Sequence, residues 1–225
     1  MKAERTQAIV LRRTDYGESD RILQLITPGG KKSVIARGVR KPRSKLAGGI
    51  ELLAESDVLL RSGKGELYIL SSARMIKFYQ GVMGDYDRLM FVYTVFKLVA
   101  RASEHIDSSD WYDVVREVLM ATDDAHTNLS LSKAWFYLQY SRLMGDELNV
   151  QRDRNGEPLQ PDHAYRYDAQ EKTFIVDTSG EITANHIKLL RLLATRPLHV
   201  ARHVSGIAEL VAVVATVARQ HAAVD

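Results

Sequence analysis

The hydrophobic period of this chain changes near Met83, and that change limits the folds open to it. Before it, apolar residues fall into short runs bounded by turn-formers; after it they recur at helical spacing. Residues 6–13, TQAIVLRR, read as a first strand. A second runs over 21–27, with Ile22, Gln24 and Ile26 on one face and Leu23 and Leu25 on the other. Pro28-Gly29-Gly30 is a hairpin turn, because proline sets the entry dihedral and glycine accepts positive φ. A third strand covers 32–36, and two more are expected at 52–61 and 66–72, joined by Ser62-Gly63-Lys64-Gly65. Five short strands in some eighty residues predict a small closed barrel, since closure hides the edges of a short antiparallel sheet. An OB-type barrel fits best, although an SH3-like barrel has a similar strand count.

From Met83, Leu89, Val92, Tyr93, Phe96, Leu98, Val99 and Ala102 keep helical spacing, with Asp85 as N-cap. A second helix is expected over 111–121, capped by Ser109 or Asp110. A third covers 131–144, capped by Ser130, ended by Gly145, with Trp135, Leu138 and Arg142 marking one face. Residues 146–185 break the pattern: Asn155-Gly156-Glu157-Pro158 is a turn, and 165–167 with 173–177 read as a β-hairpin. Helices resume at 184–196, stopped by Pro197, and at 205–221, which is apolar around most of its circumference and must bury itself or receive a partner. The expected class is therefore α+β: a barrel over 1–80, then an α-helical domain over 81–225 with a small β insert at about 146–185.

Within the barrel region lies KKSVIARGVRKPRSK, residues 31–45, continuing into Leu46, Ala47, Gly48 and Gly49. Lys31, Lys32, Arg37, Arg40, Lys41, Arg43 and Lys45 are basic and nothing in the stretch is acidic. It starts as a β pattern and breaks at Gly38, with Pro42 removing a ladder donor and Gly48-Gly49 permitting a sharp return. Charge is thus presented on a loop held by strands, which can follow an irregular phosphate backbone. A solvated loop kept basic for solubility is the plainer alternative. Residues 1–80 hold 16 Lys and Arg against 8 Asp and Glu, whereas 81–225 hold 15 against 20, so the excess positive charge sits with the barrel. Arg12, Arg13 and Arg21 add to it, with Tyr16 and Tyr68 as possible stacking faces; for Tyr68 a core role is preferred.

Other chemistries fit poorly. The stretch GGKKS at 29–33 superficially resembles a phosphate loop, but the pattern needs glycine at position 25, which is Leu25. His199 and His203 stand four apart without a third ligand of suggestive spacing. Asp15, Glu18 and Asp20 are read as a loop-ordering network, Asp20 or Glu18 with nearby arginines, rather than a catalytic dyad. No Gly-x-Ser-x-Gly elbow occurs. The expectation is a binding protein without enzymatic activity, cofactor or metal. No apolar run has the length of a membrane span, no secretion signal stands out, and the absence of cysteine excludes disulfides and fits a reducing cytoplasm.

The stretch from Ala8 to Leu52, with its Tyr-Gly-Glu-Ser-Asp-Arg turn, Thr-Pro-Gly-Gly hairpin and Ala-Arg-Gly-x-Arg-Lys-Pro loop in order, closely resembles the N-terminal signature of RecO, the bacterial recombination-mediator family. The resemblance implies an OB-fold followed by a helical domain with a small zinc-ribbon-like insert. It also implies binding of single- and double-stranded DNA, annealing of complementary strands, and loading of recombinase onto DNA coated by single-strand-binding protein, together with RecR, in the cytoplasm at the nucleoid. Many relatives hold zinc in the insert through four cysteines; this chain has none, so its hairpin must be held by packing against flanking helices. The family's docking site for the tail of single-strand-binding protein lies in the helical domain, and no motif here carries its residues across. An RNA-binding OB module, a protein scaffold and a histidine metalloenzyme stand as alternatives.

Overall fold

The structure, a computed structural model, describes residues 3–63, 65 and 67–224. Lys64 and Glu66, which the sequence reading places in a turn and at a strand start, lie outside the described residues. Five strands form the first part: β1 (Ala3–Tyr16), β2 (Asp20–Thr27), β3 (Gly30–Ala36), β4 (Ala54–Ser62) and β5 (Tyr68–Phe78). They close in the order β1-β2-β3-β5-β4, with β1 pairing antiparallel to β2 through one half and to β4 through the other. Pairing across β3 and β5 is parallel, at Val34 opposite Tyr68 and Ile35 opposite Ile69.

Period-2 alternation fills the interior. Ala8 and Val10, Leu23 and Leu25, Val34 and Ala36, and Val58 and Leu60 meet there with Val39, Ile50 and Leu70. The outer face is covered too, so Ile9 and Ile26 are fully buried and Gln24 Nε2 donates to the Ala100 carbonyl at 2.6 Å. β1 and β5 are longer than expected. Their extra residues are Ala3, Glu4 and Arg5 in β1 and Ala73 to Phe78 in β5, held by ladders to β4, and Thr14 to Tyr16 in β1, paired with β2; Ile76 and Phe78 are exposed, so no buried alternation marks that end of β5.

The chain divides into two compact units, Met1–Asp123 and Asp124–Asp225. The first contains, besides the barrel, α1 (Tyr86–Ala102) and α2 (Asp110–Asp123). Asp85 caps α1 as expected, accepting from the Arg88 N–H at 3.0 Å. Glu55 on β4, only 5% exposed, accepts from the hydroxyls of Tyr79 (3.1 Å) and Tyr112 (2.7 Å) and lies 3.4 Å from Arg116. This buried carboxylate ties α2 to the sheet, and burial beside it raises both tyrosine pKa values.

The second unit contains α3 (Leu129–Leu143), β6 (Tyr165–Asp168), β7 (Thr173–Val176), α4 (Ala184–Thr195), α5 (Leu198–Ala201) and α6 (Ile207–Ala222). The cap of α3 is Asn128, which accepts from the Ser130 N–H at 2.9 Å, rather than Ser130 itself. Its buried set, Leu131, Ser132, Ala134 to Gln139 and Ser141, runs most of the way round, so Trp135 and Leu138 do not mark a single face. Conversely α6 buries one face, Ile207, Val211, Val214, Val217, Ala218 and His221, and exposes Ala208, Glu209, Ala212 and Thr216. The small alanines that make it apolar all round sit partly at the surface.

The hairpin forms where expected. Tyr165 and Tyr167 pack edge-on against Phe174, with ring centroids 6.5 and 5.4 Å apart. It leans on α6 through Tyr167, whose hydroxyl meets His221 Nδ1 at 2.7 Å, while His221 Nε2 meets the Asp146 carbonyl at 2.7 Å. Lys172, at φ +53 in the turn, pairs with Asp146.

Candidate nucleic-acid interface

Residues 37–46 leave the barrel at the end of β3, and local chemistry holds them in shape. Gly38, at φ +64, turns the chain into the left-handed region that a side chain would resist. Next to it Val39 plugs the barrel interior at 3% exposure. The turn joining β1 to β2 completes the clamp. Asp20 Oδ1 accepts from the Gly38 N–H at 2.7 Å, the Ser19 carbonyl from the Arg40 N–H at 2.9 Å, and the Gly17 carbonyl from the Arg40 guanidinium at 3.2 Å. Further on, Lys41 N–H donates to the Gly38 carbonyl and Ser44 N–H to that of Lys41. The return at Gly48-Gly49 is a 3-10 turn, Ala47–Gly49. Gly49 is needed there for close approach rather than for dihedral freedom, because a Cβ would come within 2.5 Å of Ala73.

The ten basic residues do not form one patch. Arg37, Arg40, Lys41, Arg43 and Lys45 share the loop and are exposed. Arg21 stands beside it, donating to Asp15 Oδ1 at 2.9 Å, and Arg40 reaches the other oxygen of Asp15 at 3.5 Å. Hydrogen bonding from Arg21 holds the Asp15 carboxyl below the usual range. The network therefore runs through Asp15 to the arginines and through Asp20 to backbone, not from Asp20 or Glu18 to arginine. Arg13 is occupied by Glu51 at 2.9 Å and the Ile50 carbonyl. Lys31 and Lys32 begin β3, at the opposite end from the loop and about 15 Å from it. Lys32 lies 4.0 Å from Glu4 and 5.1 Å over the Tyr68 ring, which packs half-buried against the barrel core. Arg12 is exposed on the outer face of β1.

What remains at the loop is a set of cations without an internal counter-charge. Among the described residues no ion pair engages Arg37, Lys41, Arg43 or Lys45, nor Arg12 or Lys31. Tyr16, 55% exposed at the hairpin tip clamped to the loop, offers a flat ring beside them. Loop residues 37–45 thus present fixed positive charge to solvent, an arrangement suited to a polyanion. Among the described residues no three His, Cys, Asp or Glu side chains gather to hold a metal ion, and no helix is long and apolar enough to cross a membrane.

The counter-charges Asp15 and Glu4 were invisible to a reading of the basic stretch alone, since each comes from another strand. A signal existed for Asp15: a hairpin closing at Gly17 sets residues 15 and 21 opposite each other.

Residues 1–79 match the family described as Recombination protein O N terminal. A DNA repair protein RecO of Roseiflexus sp. is 38% identical over 100 residues, 44% of this chain and 35% of that protein. The RecO of Heliobacterium modesticaldum is 37% identical over 116 residues, covering 51% of this chain and 42% of that protein. That of Synechococcus elongatus is 40% identical over 95 residues, 42% and 35% respectively. The matched segments span about two fifths or less of these relatives. Over residues 1–79 the chain is thus similar to the N-terminal part of RecO proteins.

Proposed function

We propose that this protein is a DNA-binding recombination mediator acting in DNA repair. In this reading the barrel is an OB-fold, supported by the strand order β1-β2-β3-β5-β4 and the parallel contact of β3 with β5. The observation that carries the proposal is the clamped loop, where Arg37, Lys41, Arg43 and Lys45 stand exposed with no carboxylate partner among the described residues. A polynucleotide supplies the missing negative charge, and the clamp from Asp20 to Gly38 means that little loop ordering opposes binding. Neutralising one strand at the loop lowers its repulsion for a complementary strand, so annealing needs positive surface and no covalent step. In the proposed role the protein anneals complementary strands and helps load recombinase onto DNA coated by single-strand-binding protein, with RecR as partner. Residues 146–185 take the place of the family's zinc-bearing insert, held by the aromatic contacts of Tyr165, Tyr167 and Phe174.

The test is annealing of two complementary oligonucleotides by the purified chain without nucleotide, with and without single-strand-binding protein. Acceleration that is lost when Arg37, Lys41, Arg43 and Lys45 become alanine is the expected result. No acceleration at low salt, or acceleration indifferent to those substitutions, overturns the proposal.

A further inference from the structure

A β-bulge interrupts β1: Val10 pairs with Leu25 but Arg12 with Gln24, leaving Leu11 as the extra residue. Bulges re-aim side chains, and this one sets Leu11 and Arg12 on the same outer face instead of opposite faces. There they meet α1 and line an open groove of about 490 Å³ with Tyr93, Phe96, Lys97 and Arg101. That volume is within the range of ligand sites. The Gln24 side chain, hydrogen-bonded to the Ala100 carbonyl, fixes the floor. Three cations rim the groove against one carboxylate, Glu104, and no ion pair among the described residues joins it to them. Tyr93 is 40% exposed, and Tyr86 and Met90 continue the same helical face outward at 74% and 44%. A solvent-facing line of two tyrosines and a methionine, beside cations without an ion pair among the described residues, is not what a core needs.

We propose that this groove binds single-stranded nucleic acid, stacking a base on Tyr93 and placing phosphates at Arg12, Lys97 and Arg101. The inference rests on the reading of the loop as a polynucleotide site and extends that site to a second face. Charge complementarity calls for an anionic occupant. Continuity selects a strand rather than an acidic peptide: Arg12 lies three residues, about 10 Å, along β1 from Asp15, where the loop is clamped. A chain leaving the loop past the hairpin has only to pass round β1, since Arg12 stands on the opposite face from Asp15, and flat exposed rings suit bases of any sequence.

The test is fluorescence anisotropy of the full chain with labelled oligothymidylates of increasing length. Tyr93→Leu should weaken long oligonucleotides by about 5- to 150-fold and leave unchanged those short enough to occupy the loop alone. Tyr93→Phe, which keeps the stacking face, should bind as the unsubstituted chain does. Lys97→Gln with Arg101→Gln, both exposed and remote from the core, should flatten the salt slope for long oligonucleotides by about 1.4. If these variants match the unsubstituted chain at every length while loop substitutions still weaken binding, the groove proposal fails and the loop reading stands. If neither set matters, both fail. A labelled acidic-hydrophobic peptide whose binding depends on Tyr93 and is not displaced by oligothymidylate would also overturn it.

Discussion

Replacing Arg37, Lys41, Arg43 and Lys45 together by alanine is the perturbation whose size the structure sets most closely. Each is exposed and without an ion-pair partner among the described residues, so each is available for phosphate and dispensable to the fold. Single strands release roughly 0.7 counterion per phosphate neutralised. Four contacts therefore predict that the slope of log affinity against log salt is shallower in the variant by about 2.8. Between 50 and 200 mM salt the unsubstituted protein then loses about 50-fold more affinity than the variant does. Arg13→Gln is the contrast: its guanidinium is held by Glu51 and the Ile50 carbonyl, so its slope should shift by well under the roughly 0.7 that one phosphate contact contributes. The assay is anisotropy of a labelled oligothymidylate across a salt series, with circular dichroism to verify folding. A slope difference below about one for the fourfold variant, or a change of about 0.7 for Arg13→Gln, would refute this assignment of the phosphate site.

Asp15→Asn releases Arg21 and Arg40 from their shared carboxylate, so single-strand affinity should rise and the slope steepen by about one; an unchanged titration contradicts the clamp. Glu55→Ala leaves the Tyr79 hydroxyl without its buried acceptor and Tyr112 with only Gln7 Oε1 at 3.2 Å, and should destabilise the first unit by about 1–3 kcal/mol, measured by urea unfolding; no loss of stability would contradict the structure. His221 is buried, and burial lowers its pKa despite the Asp146 carbonyl. With Nε2–H donating to that carbonyl, Nδ1 accepts from Tyr167, so the folded state holds the neutral ring while the unfolded chain takes a proton near the ordinary value of about 6.5. Stability is therefore full above about pH 6.5 and falls below it, by up to about 1.4 kcal/mol per pH unit from this group, with His186, also lowered by burial, acting in the same direction. Thermal melts from pH 8 to 5 should show this, and His221→Phe should flatten the curve; an unchanged curve contradicts it.

The barrel was legible because its interior is written in period-2 pairs such as Leu23 with Leu25 and Val58 with Leu60. The outer ends of β1 and β5 were not, since hydrogen-bond ladders to β4 hold them while their side chains, the apolar Ile76 and Phe78 included, stay at the surface. Helix α6 looked apolar all round because alanine counts as hydrophobic in a pattern, yet Ala208 and Ala212 are exposed. At the site, the charged loop could be read directly from composition. Which cations are free could not, because Asp15, Glu4 and Glu51 reach Arg40, Lys32 and Arg13 from other strands and loops. Nor could the groove at Tyr93, which depends on a one-residue bulge that periodicity does not register.

The most direct measurement maps photo-crosslinks from a single strand carrying photoreactive thymine analogues onto the full chain. Crosslinks concentrated in residues 37–45 and at Tyr16, and suppressed by unlabelled single strand, are the result predicted here. Crosslinks confined to residues 124–224, with the loop peptides unmodified, would contradict it.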